Sequence, residues 1–159
     1  MTLLHMATQQ PERVEAMVLI DATHYFPEPC RAILRTVAVD APPPWGGDWE
    51  YLVEREGKER AHALITQWAN MKDSYDDMNF TPPYLSTITA RTLIVHGDRD
   101  RFFSVSIPVE MYRAIPDAYL WIIPNGGHTP DWVFGEAHAG AFAQAALEFL
   151  NGEWGEVVL

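Results

Sequence analysis

The feature that most constrains the fold of this chain is a continuous apolar run that ends in a glycine and two acids. It starts at Thr92, ends at Asp100 and reads TLIVHGDRD. Such a run, followed by turn residues, is typical of a strand that is buried on both faces. Two more runs of this character are Ala16–Asp21 and Ala118–Ile123. With Thr92–His96 as the strand of the first run, we predict an α/β fold with a parallel sheet of about three strands and flanking helices.

The segment between the first and second strands has a different character. Prolines interrupt it repeatedly and no strand pattern is present. We therefore predict that residues 1–23 and 90–159 form the core and that residues 24–89 form a helical insertion that covers a site. The spacing of apolar residues predicts helices at Glu28–Val39, Asp48–Glu56, Lys58–Asp77, Ile107–Ile115 and His138–Leu150.

Charge and composition exclude several kinds of partner. The 159 residues carry a formal net charge of −11, which argues against nucleic acid or an anionic membrane, because both need a basic face. The single cysteine, Cys30, cannot form an internal disulfide, which allows a reducing compartment. No apolar stretch is long enough to span a membrane and the first residues do not form a signal peptide. We expect a cytoplasmic protein.

An acid and a histidine are predicted to meet at one edge of the sheet. Asp100 follows the second strand, and His128 follows the third within PNGGHTP. The carboxyl ends of parallel strands lie at the same edge, where open α/β sheets place their chemistry. A histidine that acts as a general base needs such a carboxylate on its far nitrogen. His96, Asp98 and Asp100 alternate, which could indicate a metal site, but Gly97 ends the strand, so we predict no metal.

At these residues the chain resembles the α/β-hydrolase fold family. The resemblance is carried by Thr92–Asp100, by Gly126-Gly127-His128, and by Gln10–Val14 leading into Met17–Asp21. It covers nearly the whole chain, with the segment after Ala22 similar to the variable helical cap of the family. The resemblance implies a serine-type hydrolase of esters, amides or related bonds, without a cofactor.

The family also implies roles for single residues. Its triad follows the order nucleophile, acid, histidine, which makes Asp100 the acid and His128 the base. The nucleophile elbow Gly-x-Ser-x-Gly is absent, since no serine has glycines around it. The four serines are Ser74, Ser86, Ser104 and Ser106. We expect the C-terminal half of a hydrolase, inactive alone because its nucleophile is missing. The alternative is a non-catalytic remnant that binds or self-associates.

Aromatic residues and an open strand suggest what the chain contacts. Trp132 and Phe134 follow His128, and Tyr25 and Trp68 lie in the predicted insertion. We predict that these four line a pocket for a small-molecule substrate, while the alternative is that they only pack the insertion. The strand at Ala16–Asp21 is expected to have an open edge, because its second neighbour would precede the chain. Such an edge favours pairing with a second copy, so we predict a homo-oligomer.

Overall fold

The computed structural model describes residues 2–38, 49–75, 78–128 and 136–154. These residues form two compact units. The first unit combines Met1–His24 with Phe80–Leu159, and the second is Tyr25–Asn79. The predicted boundaries of a core and an inserted cap stay a prediction.

The first unit contains a parallel sheet of three strands. These are β1 (Ala16–Ile20), β2 (Arg91–Gly97) and β3 (Ala118–Ile123), in the spatial order β1-β2-β3. In the register, Leu19 lies opposite Ile94 on one side of the central strand, and Ile94 lies opposite Leu120 on the other. The predicted α/β class with three parallel strands is confirmed.

The described residues contain seven α-helices. In chain order they are α1 (Thr2–Gln9), α2 (Glu28–Leu34), α3 (Trp49–Glu56), α4 (Lys58–Asn70), α5 (Pro82–Leu85), α6 (Ser106–Ala114) and α7 (Glu136–Leu150). Within the described ranges, no helix is both long enough and apolar enough to cross a membrane.

The core of the first unit is built on β2, which is buried along nearly its whole length. Leu93 and Val95 point to one face because side chains alternate along a strand, and they pack with Ile123 of β3 and Phe149 of α7. β2 is buried on both faces because its sequence is almost entirely apolar. The polar residues that follow it lie at the carboxyl edge of the sheet.

The described part of the second unit contains three helices, two of which are shorter than predicted. α2 ends at Leu34 rather than Val39, and the chain then turns tightly, with the Val37 N–H donating to the Leu34 carbonyl at 3.1 Å. α4 ends at Asn70 rather than Asp77. The carbonyls that follow it bond to the Arg31 side chain instead of continuing the helix. Val39 and Asp77 themselves lie outside the described residues.

A short helix in the first unit was not predicted. α5 has four residues and begins with Pro82 just after Thr81. Proline suits the first turn of a helix because its missing N–H would have no partner there, so the two prolines that suggested only a loop in fact start a turn of helix.

Candidate active site

The loop after β2 holds Asp100 by its own backbone. One carboxylate oxygen, Oδ1, accepts N–H groups from Phe102 at 2.7 Å and from Phe103 at 3.1 Å. Asp residues form such turns readily because their short side chain reaches the backbone two and three residues ahead. The Asp100 side chain is fully buried. Because two N–H groups hold Oδ1, the direction in which the second oxygen, Oδ2, points is also fixed.

The loop after β3 brings His128 to that second oxygen. His128 Nδ1 lies 2.8 Å from Asp100 Oδ2, and the nitrogen donates because an ionised carboxylate can only accept. The rings of Phe102 and Phe103 meet the imidazole at 63° and 72°, with centroids 4.8 and 5.5 Å away. The imidazole is thus oriented by one hydrogen bond and two aromatic contacts, while a third of its side chain remains exposed.

The two loops are tied to each other through the backbone. The Asp98 N–H donates to the Ile123 carbonyl at 3.1 Å, and the Arg99 N–H donates to the Gly126 carbonyl at 2.8 Å. A Cβ at Gly97 would collide with the backbone of Gly126 and Gly127. The glycine is needed for this close approach, which sets the acid and the histidine at a fixed separation.

The surroundings of Asp100 act on its pKa in opposite directions. Burial, the largest single influence, raises the pKa of the carboxyl group. The hydrogen bond from His128, its charge and the N–H groups of Phe102 and Phe103 lower it, and together they prevail. The pKa of Asp100 is held below its usual value, so the group stays ionised and can act as a fixed negative partner for an imidazolium.

Sequence reasoning missed two polar residues that border this pair. Asp21 follows β1 and is 4% exposed, and its Oδ1 accepts the Gly97 N–H at 3.0 Å. His96, at the end of β2, has no exposed surface, and its Nε2 donates to the Phe103 carbonyl at 2.9 Å. The signal for Asp21 was available, because an acid after β1 shares the edge of the sheet with the acid after β2.

A metal ion could find ligand atoms at this edge. Asp21, Asp100 and His128 each offer an atom, and these lie within 4.8 Å of one another. The Asp100 and His128 atoms, however, already bond to each other at 2.8 Å. A metal would have to replace that bond, so the donor set fits an acid–histidine pair better than a cation.

The described geometry does not test the predicted pocket residues. Trp132 and Phe134 lie outside the described residues. Tyr25 and Trp68 belong to the second unit, where both are half-buried. A role in a pocket stays a prediction for all four.

Among known sequences, no family model matches the chain. It is similar, however, to curated hydrolases. It is 38% identical over 71 residues to the 2-hydroxy-6-oxo-6-phenylhexa-2,4-dienoate hydrolase of Burkholderia cepacia, a match covering 44% of this chain and 23% of that protein. It is 29% identical over 96 residues to the 2-hydroxy-6-oxo-6-(2'-aminophenyl)hexa-2,4-dienoic acid hydrolase of Metapseudomonas resinovorans, covering 60% and 31%. The matches span less than a third of these relatives.

Solved structures share the fold over nearly all of this chain. An α/β-hydrolase from a Medee basin deep-sea metagenome library superimposes with a TM-score of 0.67 at 15% identity, over 99% of this chain and 62% of that one. A serine hydrolase involved in carbazole degradation superimposes with a TM-score of 0.60 at 24% identity, over 94% and 59%. The chain has the α/β-hydrolase fold. It spans about three fifths of these hydrolase structures.

The acid–histidine pair of this chain has the parts of a general base. A histidine held through Nδ1 has Nε2 left to take a proton, and a buried carboxylate on Nδ1 stabilises the imidazolium that forms. Such a base activates a hydroxyl group within hydrogen-bond reach. No serine hydroxyl bonds to His128 among the residues the structure describes; Ser104 Oγ and Ser106 Oγ bond to each other at 2.7 Å.

Proposed function

We propose that this chain supplies the acid and the base of a serine-type α/β-hydrolase site, with Asp100 orienting His128. The observation that carries the proposal is the 2.8 Å contact between Asp100 Oδ2 and His128 Nδ1, at the carboxyl edge of a parallel sheet. The lowered pKa of Asp100 supports it, because the role requires an ionised carboxylate. Similarity to two dienoate hydrolases supports hydrolysis as the reaction class.

The nucleophile is the part that this sequence does not supply. Gly-x-Ser-x-Gly does not occur in the 159 residues. We propose that the chain alone has little or no turnover and that a serine on another polypeptide segment completes the site. A fluorophosphonate probe, which labels activated serines, should leave the isolated chain unlabelled. Stoichiometric labelling of Ser74, Ser86, Ser104 or Ser106 would show that an unexpected nucleophile is present.

Complementation tests the acid and the base directly. An N-terminal segment of the Burkholderia cepacia relative would be co-expressed with this chain, and hydrolysis of a short-chain ester and of 2-hydroxy-6-oxo-6-phenylhexa-2,4-dienoate would be measured. If activity appears, His128→Ala should lower it by about a hundredfold or more, as expected for loss of a general base. His62→Ala, a matched change in the second unit, should leave it nearly intact. Equal activity of the His128→Ala variant would refute the proposed role.

The substrate and its pocket extend the proposal. Both curated relatives are named for 2-hydroxy-6-oxo-dienoates with an aromatic ring, so we take this class of small molecule as the first candidate. Residues 24–89 would act as the cap, with Tyr25, Trp68, Trp132 and Phe134 against the ring. The compact second unit Tyr25–Asn79 supports a separate insertion of this kind. Preference for the aryl dienoate over a short-chain ester in the complemented enzyme is the expected result.

The alternative proposal is a non-catalytic module that self-associates in the cytoplasm. Within the described residues, β1 pairs only with β2, so its other edge carries unpaired backbone groups. A second copy could pair there and continue the sheet across a homodimer. Sedimentation at micromolar concentration should then show a dimer, and replacing Val18 in β1 with proline should dissociate it. A wild-type chain that sediments as a monomer would remove this alternative.

A further inference from the structure

Phe103 links three groups around the acid–histidine pair. Its N–H donates to Asp100 Oδ1 at 3.1 Å, and its ring packs edge-on against His128. Its carbonyl accepts the Nε2–H of His96 at 2.9 Å. A shift of Phe103 would therefore move a partner of the acid and a partner of the base at once.

His96 is the residue whose side chain bonds to the Phe103 carbonyl. Its ring is completely buried, and Nε2 carries the hydrogen because the Phe103 carbonyl can only accept. The other ring nitrogen, Nδ1, lies 3.3 Å from Asp21 Oδ1, and the same oxygen accepts the Gly97 N–H. His96 thus lies between the end of β1 and the loop that carries Asp100.

Asp21 holds this position at a conformational cost. Its φ is +42°, in the left-handed region that residues other than glycine adopt at a cost in free energy. Its N–H still donates to the Val95 carbonyl at 2.9 Å, so the sheet ladder is kept while the side chain is turned toward His96. Strain of this kind persists only where the surrounding structure fixes it, and it is concentrated at functional sites.

We infer that His96 is a positioning residue that sets the Asp100 carboxylate for His128 through Phe103. The inference rests on the proposed function, since the pair it positions is the proposed acid and base. The link from His96 through Phe103 to the Asp100–His128 pair can nonetheless be measured without any enzymatic turnover.

Two substitutions of His96 separate positioning from simple packing. In His96→Gln, the side-chain amide nitrogen can occupy the place of Nε2 and keep the bond to the Phe103 carbonyl. In His96→Asn, the shorter side chain leaves a polar group near Asp21 but cannot reach Phe103. Both variants replace a buried imidazole with an amide, so they differ chiefly in that one bond.

The measurement is NMR of the isolated chain. We expect His96→Asn to speed amide exchange at Phe102 and Phe103 by about tenfold, as loss of one buried hydrogen bond predicts. It should also weaken the downfield His128 Nδ1–H signal. His96→Gln should keep both near wild type, and the amides of Val95 and Trp121 serve as internal controls. A merely structural His96 would speed exchange throughout β2 and β3 and leave the His128 signal in place.

Two outcomes would overturn the inference. One is that His96→Asn keeps wild-type amide exchange at Phe102 and Phe103 and an unchanged His128 signal. The other is that His96→Gln and His96→Asn speed the exchange and weaken the signal equally. If His96→Asn does not fold, His96→Leu replaces it, because leucine fills the buried space but offers no donor to the Phe103 carbonyl. That variant should show the same changes, and no change would count against the inference. Failure of complementation with the NMR result intact would refute the hydrolase proposal alone.

Discussion

His128 Nδ1 donates to Asp100 Oδ2 at 2.8 Å, although 28 residues separate the two in the sequence. The carboxylate has no exposed side-chain surface, whereas a third of the histidine side chain is exposed. A hydroxyl from outside can therefore reach the base, while water is kept from the acid. This asymmetry strengthens the electrostatic contact, because the effective dielectric constant is lower around a buried charge.

The ionised Asp100 should contribute stability that acid removes. Because its pKa is lower in the folded than in the unfolded chain, this contribution is present above the unfolded value of about 4 and is lost as the pH falls through the folded pKa. The Asp100→Asn variant has no carboxylate at this position, so acid cannot remove this contribution from it. Urea unfolding at about pH 6 and about pH 3 should show a larger loss of stability for wild type than for Asp100→Asn.

An exposed acid provides the control for this titration. Asp73 pairs with Lys72 at 2.8 Å, but 71% of its side chain is exposed, so solvent screens the pair. Asp73→Asn should follow the wild-type pH dependence closely. If Asp100→Asn loses as much stability on acidification as wild type, the bond to His128 does not depress the pKa in solution.

The sheet and the acid–histidine pair could be predicted because both follow from local patterns. Unbroken apolar runs indicate buried parallel strands, and the carboxyl ends of such strands share one edge. Asp100 and His128 each follow a strand directly, so their meeting needed no knowledge of register. The three predicted strands agree with the observed ones to within two residues.

The support behind that pair could not be predicted with the same confidence because it depends on registry and loop geometry. His96 reaches Phe103 only through the turn that the Asp100 side chain itself organises. The helix ends in the second unit failed for a similar reason, since Arg31 takes carbonyls that helical periodicity assigned to α4. In α4, a side chain 40 residues away in sequence overrode the local pattern.

Gly97 should tolerate no side chain. A Cβ there would overlap backbone atoms of Gly126 and Gly127, which cannot move without breaking the bond between the Arg99 N–H and the Gly126 carbonyl. Gly97→Ala is expected to lower the free energy of unfolding by about 2 kcal/mol or more, as overpacking of a rigid contact does. Urea denaturation measures this value, and the His128 Nδ1–H signal should weaken with it.

Gly140 in α7 offers the matched change. A Cβ at Gly140 meets no atom within 4 Å, and the residue lies inside a helix. Gly140→Ala should therefore stabilise the chain by about 0.5–1 kcal/mol, because alanine restricts the unfolded chain and favours helix. Similar effects of the two substitutions would mean that the close approach at Gly97 is relaxed in solution.

Arg91 joins the start of β2 to the end of α7. Its guanidinium donates to the carbonyls of Phe149 at 2.9 Å and Leu150 at 3.4 Å, and the Phe149 carbonyl also accepts the Gly152 N–H at 3.0 Å. Arg91→Met keeps most of the apolar stem and removes these donors, so we expect a loss of about 1–2 kcal/mol in the free energy of unfolding. Amide exchange in the last turn of α7 should rise, whereas Arg113→Met, at an exposed site in α6, should leave it unchanged.

Arg31 should determine whether the second unit holds together. The side chain is 3% exposed and donates to four backbone carbonyls, and its guanidinium lies 3.8 Å from the centre of the Tyr75 ring. The carbonyls belong to Phe26, Met71, Lys72 and Ser74, at 2.8–3.0 Å. Arg31→Lys keeps the charge, but one ammonium group cannot span four acceptors that the planar guanidinium reaches. The carbonyls left without a donor should lower the stability of this unit by about 3 kcal/mol.

Amide exchange tests this prediction unit by unit. In Arg31→Lys, exchange should accelerate in α2 and α4 while the amides of β2 keep their wild-type rates, because every carbonyl that Arg31 binds lies in the second unit. Arg35→Lys is the control, since its ion pair with Glu28 is exposed and contributes little. Equal acceleration in β2 would show that the second unit does not unfold separately, and unchanged exchange in α4 would show that Arg31 is not what ends that helix.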